Sequence, residues 1–253
     1  MIDIIVHGSI IQDLVSYTDQ FPRPGETVRG TFATSSGGKG ANQAAQAAML
    51  GAKVYMIGTV GKDAFGKSNV DNLKAFGVKT EYIENSASGK TGCATIIVTK
   101  EGENSIVISP GANLECSASR INELEKVVSS AKLAEYLAGQ IVRTIEDAQQ
   151  ITRRLLDTGP SIVILTLGAK GVVYGTKYGD SGHIMVPSVK VVETTGAGDS
   201  FCGALVYFLV KRPELELKEQ IRRAAHISTY SVQRKGTRDS YPWPKDLPSD
   251  ILM

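Results

Sequence analysis

The sequence predicts an α/β fold, a largely parallel sheet dressed by helices with a small β subdomain set into it. Three observations carry this. Apolar runs bounded by glycine alternate with helical patterns along most of the 253 residues, the rhythm of βαβ units. Two stretches, approximately 14–35 and 92–113, break that rhythm with the period-two alternation of half-exposed antiparallel strands. At 42% hydrophobic and 21% charged residues, the chain can fill the core of one large domain spanning 1–253, with those strands inserted in it.

Taken in order, Ile2 to His7 is a strand. Asp3 interrupts the opening "MIDIIVHGSI", and no basic leader precedes it, so a strand is expected rather than a signal peptide. "GGKGANQAAQAAMLGA" is a glycine turn entering an alanine-rich helix that stops at Gly51. "KVYMIGTV" is a strand and "FGKSNVDNLKAFGV" a helix closed by Gly77. Within 92–113, "KEGEN" is the turn of a hairpin between "ATIIVT" and "SIVIS". From Ala118 to Asp157 no strand is legible and two or three helices follow one another, where βαβ alternation should continue. "SIVILTLG" is again a strand, and a buried helix follows Asp199.

The formal net charge is only +2, with bases and acids interspersed, so neither nucleic acid nor a membrane surface is an expected partner. No apolar run approaches the ~20 residues of a membrane span. The three cysteines, Cys93, Cys116 and Cys202, share no metal-ligand spacing and are odd in number, which suits a reducing compartment. A cytoplasmic location is expected, and a nuclear one is compatible.

Three glycine-bearing motifs offer chemistry. "GGKGAN", Gly37 to Asn42, lets backbone approach a ligand while Lys39 and Asn42 offer polar contacts, or it is a tight turn that allows close helix packing. "GKDAFGKS", Gly61 to Ser68, matches the P-loop pattern G-x-x-x-x-G-K-[ST] between a strand and a helix. Against a phosphate cradle stand the charge of Asp63, the bulk of Phe65 and the lack of a partner strand ending in a magnesium-binding aspartate. In "VVETTGAGDSFCGAL", Thr194 and Thr195 can cap the helix while Gly196, Ala197 and Gly198 turn backbone N–H groups to one spot, an anion site at a helix N-terminus. Asp199 beside it is either a general base for a hydroxyl attacking a phosphoryl group, or a first-turn helix acid.

Taken together, these stretches resemble the ribokinase/PfkB-like family of carbohydrate kinases, which includes ribokinase, adenosine kinase and minor phosphofructokinase. "GGKGANQAAQAAMLGA" is similar to its first signature and "VVETTGAGDSFCGAL" to its second. Within the family, "GSIIQD", "GGKGANQA", "GENSIVISPGAN" and "RKGT...YPW" resemble the ribokinase branch most closely. "GTVGKDAFGKSNVDNLKAFGV" resembles a family stretch G-x-V-G-x-D-x-x-G, which makes the P-loop match a coincidence. The resemblance implies a ribokinase-like three-layer core with a mostly parallel sheet and a small β-sheet lid, and homodimers formed through that lid.

It further implies ATP-dependent phosphorylation of D-ribose to ribose 5-phosphate. Asp13 would bind sugar hydroxyls, with Gly38, Lys39, Gly40 and Asn42 from the first signature. Asp199 would activate the terminal hydroxyl, and Gly196, Ala197 and Gly198 would hold the phosphoryl oxygens. Thr166, Leu167, Gly168, Ala169, Lys170 and Gly171 would line the ATP site together with Gly198 and Ala225. Magnesium would accompany the nucleotide. Potassium would be bound around Glu193, Thr195, Ser231, Arg234, Gly236 and Ser240, although Glu193 stands where the family usually has Asp.

The larger departure is a missing internal segment around residues 132–134, where "SSAKLAEYLAGQ" fuses two helices that should be separated by several strands, among them those carrying sugar-binding and magnesium-binding residues. More than one βαβ unit of ~30 residues is absent. The alternative to a kinase is therefore a shortened, catalytically impaired or inactive form that binds ligand or a partner subunit, with a P-loop NTPase through Gly61–Ser68 as a third reading.

Overall fold

The computed structural model describes residues 3–115, 144–157 and 160–252. Two compact units are formed, one from residues up to 131 together with Gly236–Asp239, the other from 132–235 and 240–253.

In the first unit, β1 (Ile4–His7) leads through Gly8–Ile10 to β2 (Ile11–Thr18) and β3 (Gly30–Gly37), then α1 (Lys39–Met49), β4 (Val54–Val60), α2 (Ala64–Ala75), β5 (Lys79–Asn85), β6 (Gly92–Thr99) and β7 (Asn104–Ser109). Strands β1, β4 and β5 form a parallel sheet in the order β1-β4-β5, with Ile4 opposite Val54. Its apolar residues Ile4, Val54, Met56 and Ile57, and Ala41, Ala44 and Ala45 of α1, are all at most 4% exposed. Small alanines let α1 lie close to the sheet. The helix ends at Gly51, whose φ of 103° only glycine adopts at low cost.

The second sheet runs β3-β2-β6-β7 and comprises both stretches expected to alternate. Here β2 and β6 pair in parallel, Ile11 with Gly92 through Thr18 with Thr99, rather than antiparallel as their alternation suggested. Three strands and two helices lie between them in the chain, a connection long enough for parallel pairing. The outer pairs β2–β3 and β6–β7 are antiparallel, and Gly102, at φ 84°, makes the turn of the hairpin.

In the second unit, α3 (Ile145–Leu156) is followed by β8 (Ile162–Thr166), β9 (Val172–Thr176), β10 (Ser181–Ile184), α4 (Ala197–Lys211), α5 (Leu217–Ser231) and α6 (Ser249–Leu252). Thr144 and Asp147 close a capping box at the start of α3, each side chain accepting the other's backbone N–H at 3.0 Å. Strands β8, β9 and β10 are antiparallel throughout, because the connections between them are too short for a parallel crossover. Helices α4 and α5 bury Phe201, Leu205, Phe208, Ile221 and Ile227.

Of the helices expected between Ala118 and Asp157, α3 is described; the junction around 132–134 and Cys116 lie outside the described residues. Among the described residues, β1 pairs only with β4 and β8 only with β9. No described helix is long and apolar enough to cross a membrane.

Candidate functional site

On the first unit, the structure gathers Asp13 and the first glycine motif. Asp13 lies on β2 opposite Ser35, and its carboxylate rests against Gly37, where any Cβ would collide with it. Gly38 caps α1 with φ 97°, and a Cβ there would strike the backbone of Ser9 and Ile11. At Gly40 a Cβ would stand 2.7 Å from the Cα of Gly8. Both glycines are thus demanded by close packing of the helix on the β1–β2 connection. The ligand-facing chemistry of the motif falls to its side chains: Lys39 is exposed at the helix start, and Asn42 is 5% exposed.

Residues to which the motifs gave no role support this corner. Asn113 accepts the N–H of Ile10 at 2.8 Å and donates to the carbonyl of Ile10 at 2.9 Å, stapling the β1–β2 connection from 103 positions away. The guanidinium of Arg238 donates to Asn42, Asn72 and Gly37. Beside Asp13, Gln12 donates to Thr34 and to the Ser35 carbonyl, and accepts from Asn69 of α2.

The P-loop pattern resolves into structure. Asp63, in extended conformation, caps α2 through the N–H of Gly66 at 2.8 Å, and it also accepts from the backbone N–H and hydroxyl of Thr91 at 2.8 and 2.7 Å. Burial alone would raise its pKa; the hydrogen bonds from Thr91 and Gly66, with Lys90 nearby, hold it below the ordinary value. A carboxylate therefore fills the place a phosphate would need. Lys67 points to solvent and pairs with Asp71 at 2.6 Å.

On the second unit, α4 begins at Gly196, whose φ of 77° is left-handed. Thr194 and Thr195 do not cap it as expected. No side chain makes a cap hydrogen bond there; Thr194 instead offers its carbonyl to the N–H of Ala197 at 3.2 Å. The αL turn carries the chain into the helix without a side-chain cap, so the positive end of α4 is not covered by one. Gly198 is exposed, and a Cβ on it would meet nothing within 4 Å among the described residues. Unlike Gly38 and Gly40, it is not explained by packing. Asp199 sits in the same first turn, half-buried.

"TLGAKG" forms the turn after β8, with Gly168 and Gly171 both at positive φ and Leu167 N–H bonded to the Gly171 carbonyl at 2.8 Å. Thr166, Gly168, Ala169 and Lys170 are exposed there. The Nε2–H of His183 donates to the Lys170 carbonyl at 2.6 Å, and His183 with Met185, Glu219, Arg222 and His226 lines a cavity of about 360 Å³. Burial, then the Arg222 guanidinium, pushes His226 below its ordinary pKa and favours the neutral ring. Ala225, one residue before it on α5, is 1% exposed, and its carbonyl accepts from Ser228 and Thr229.

Of the residues expected around a monovalent cation, Glu193, Thr195, Ser231, Arg234 and Ser240 belong to the second unit and Gly236 to the first. The backbone N–H groups of Val192 and Glu193 both donate to the Val232 carbonyl, at 2.8 and 3.2 Å, which pins the Glu193 segment to the end of α5 beside Ser231. The donors on offer are hydroxyl, carbonyl and carboxylate oxygens, a set that fits a hard cation. Arg234 directs its guanidinium to Asp246 at 3.4 Å, leaving only its carbonyl for such a role. Among the described residues no cluster of three His, Cys, Asp or Glu side chains could hold a metal ion.

The chain matches the pfkB family carbohydrate kinase pattern twice, over residues 1–142 and 134–244. It is 36% identical to a mouse (Mus musculus) ribokinase, covering 97% of this chain and 93% of that one, and 31% identical to a deoxyribokinase of Salmonella typhi, covering 95% of each. The alignment with the mouse protein spans 301 positions, 48 more than the 253 residues here, so at least 48 of its positions face no counterpart. The two family matches overlap over residues 134–142. Among solved structures, Arabidopsis thaliana ribokinase complexed with ribose and ATP superposes with a TM-score of 0.86 at 26% identity, covering 100% of this chain and 99% of that one.

Proposed function

The chain belongs to the pfkB family of carbohydrate kinases, and from that premise we propose that it transfers the γ-phosphoryl group of ATP to the primary hydroxyl of D-ribose, giving ribose 5-phosphate and ADP. The observation that carries the reading is the start of α4: a helix N-terminus without a side-chain cap, an open Gly198, and Asp199 in the same turn. Asp199 accepts the hydroxyl proton as the sugar oxygen forms its bond to the γ-phosphorus, and the bond to the bridging oxygen breaks with its electron pair leaving on ADP. The first-turn N–H groups of Ala197 and Gly198 and the helix dipole offset the negative charge on the transferring group. Asp13, Lys39 and Asn42 bind the sugar hydroxyls, and the Thr166–Gly171 turn takes the nucleotide.

Magnesium, when bound, supplies charge neutralisation on the phosphates, which needs at most one or two protein carboxylates. Glu193, Ser231 and Ser240, with the carbonyls of Thr195, Arg234 and Gly236, are the proposed potassium ligands. The sheet β3-β2-β6-β7 is the proposed lid and dimer surface, a role supported by the exposure of Phe32, Val107 and Ile108 at 60% or more.

A second reading, a shortened member that binds ligand without turnover, is favoured by the 48 or more positions without counterpart. Ribose-dependent ADP formation by the purified protein separates the two. Turnover is expected, falling by about 100-fold or more in Asp199→Asn with ribose affinity little changed. A folded but inactive wild type sinks the kinase reading, and near-wild-type turnover of the variant removes Asp199 from its role.

A further inference from the structure

Arg238 is 3% exposed, and its planar fork of donors reaches Asn42 Oδ1 from Nε–H at 2.8 Å, Asn72 Oδ1 from one terminal nitrogen at 2.7 Å, and the Gly37 carbonyl from the other at 2.5 Å. We propose that Arg238 is a positioning residue for the sugar side of the site, setting the amide of Asn42 and the seat of Asp13 at once; this rests on the reading that those two residues bind the sugar.

Because Oδ1 of Asn42 accepts from Arg238, a flip of that amide would set its NH2 group against the guanidinium. The donors of Asn42 are thereby held in one orientation. Gly37, whose carbonyl Arg238 takes, is the residue against which the Asp13 carboxylate lies. The far anchor, Asn72, belongs to α2, and one turn earlier on the same helix Asn69 donates to Gln12, the neighbour of Asp13, at 2.8 Å. The helix opened by the P-loop-like stretch thus backs β2 and the glycine motif from behind, through the amides of Asn69 and Asn72.

The test compares wild type with Arg238→Met, which keeps a long apolar side chain without donors, and with Asn72→Ala, which removes only the far anchor. Ribose affinity by calorimetry, steady-state constants for ribose and ATP, and the side-chain NH2 resonances of Asn42 in the free protein are the readouts. Arg238→Met is expected to raise the ribose Kd and KM by about tenfold or more, the scale of one charge-assisted hydrogen bond. The ATP KM and the rate at saturating ribose should change little, and the Asn42 resonances should shift. Asn72→Ala should move the same quantities less. A folded Arg238→Met that keeps wild-type ribose affinity and unshifted Asn42 resonances overturns the proposal; if that variant does not fold, Asn72→Ala decides on the same criteria. If the wild type binds no ribose, the kinase reading fails by itself, and unshifted Asn42 resonances in the variants would still overturn the positioning role.

Discussion

The hydroxyl of Tyr241 donates a 2.9 Å hydrogen bond to the carbonyl of Gly196, the left-handed residue on which α4 begins. The ring is 1% exposed, so the phenol has been buried with its polar end aimed at the turn that presents Asp199. Tyr241→Phe keeps the ring and removes the bond. It is expected to destabilise the fold by about 1 kcal/mol and to lower turnover several-fold without altering ribose affinity. Urea unfolding and ADP formation measure the two effects, and full turnover in the variant would separate the bond from catalysis.

Gly198 and Gly40 should answer an alanine substitution in opposite ways. A methyl at Gly198 meets nothing within 4 Å, and alanine is the better helix former by up to about 1 kcal/mol, so thermal stability should hold or rise while the ATP KM increases. Gly40→Ala drives a Cβ to 2.7 Å from the Cα of Gly8 and should lower stability before any ligand is added. A stable Gly198→Ala protein with unchanged ATP constants would argue that no phosphate approaches this glycine.

Asp63 and Lys67 distinguish a structural cap from a phosphate cradle. Removing the Asp63 carboxylate frees the N–H groups of Gly66 and Thr91 and should cost about 1–3 kcal/mol, read by chemical denaturation. Lys67→Ala, at an exposed ion pair, should leave nucleotide affinity and stability close to wild type. Loss of nucleotide binding in Lys67→Ala would restore the P-loop reading.

Glu219 supplies a pH signature. The Arg222 guanidinium, bonded through two nitrogens at 2.7 Å, holds its pKa at about 2 against an ordinary 4.5; burial opposes the shift and Arg223 adds to it. A depressed carboxylate pKa stabilises the fold above the unfolded value and loses that contribution as pH falls through the folded one. The stability gap between wild type and Glu219→Gln should be widest above pH 4.5 and close toward pH 2. A gap that stays constant over that range would show that the carboxylate is not ionised against Arg222.

The alanine helix, its glycine stop and the hairpin of β6 and β7 were legible because each rests on neighbours in the chain: a 3.6-residue period, a positive φ, a turn sequence. The two signatures were legible for the same reason. Both hold their functional letters within a single turn into a helix. Arg238 was not, because its partners at Gly37 and Asn42 lie about 200 positions away, and an arginine in "RKGTRDS" looks like any solvated base. Nor did alternation reveal that β2 and β6 run parallel, since period-two patterning reports a half-exposed face and is silent on strand direction.

Composition and motif order were sufficient for the α/β class and the carbohydrate-kinase family, both of which depend on residues close together in the chain or on their order along it. Contacts decided which motif letters serve the fold. Gly38 and Gly40 serve packing while Gly198 faces open space, Asp63 occupies the cradle that its own motif suggests, and Thr194 and Thr195 leave α4 uncapped. The reason is physical: a glycine, a carboxylate or a threonine takes its role from the atoms within 4 Å of it, and most of those atoms arrive from distant parts of the chain only when the backbone has folded.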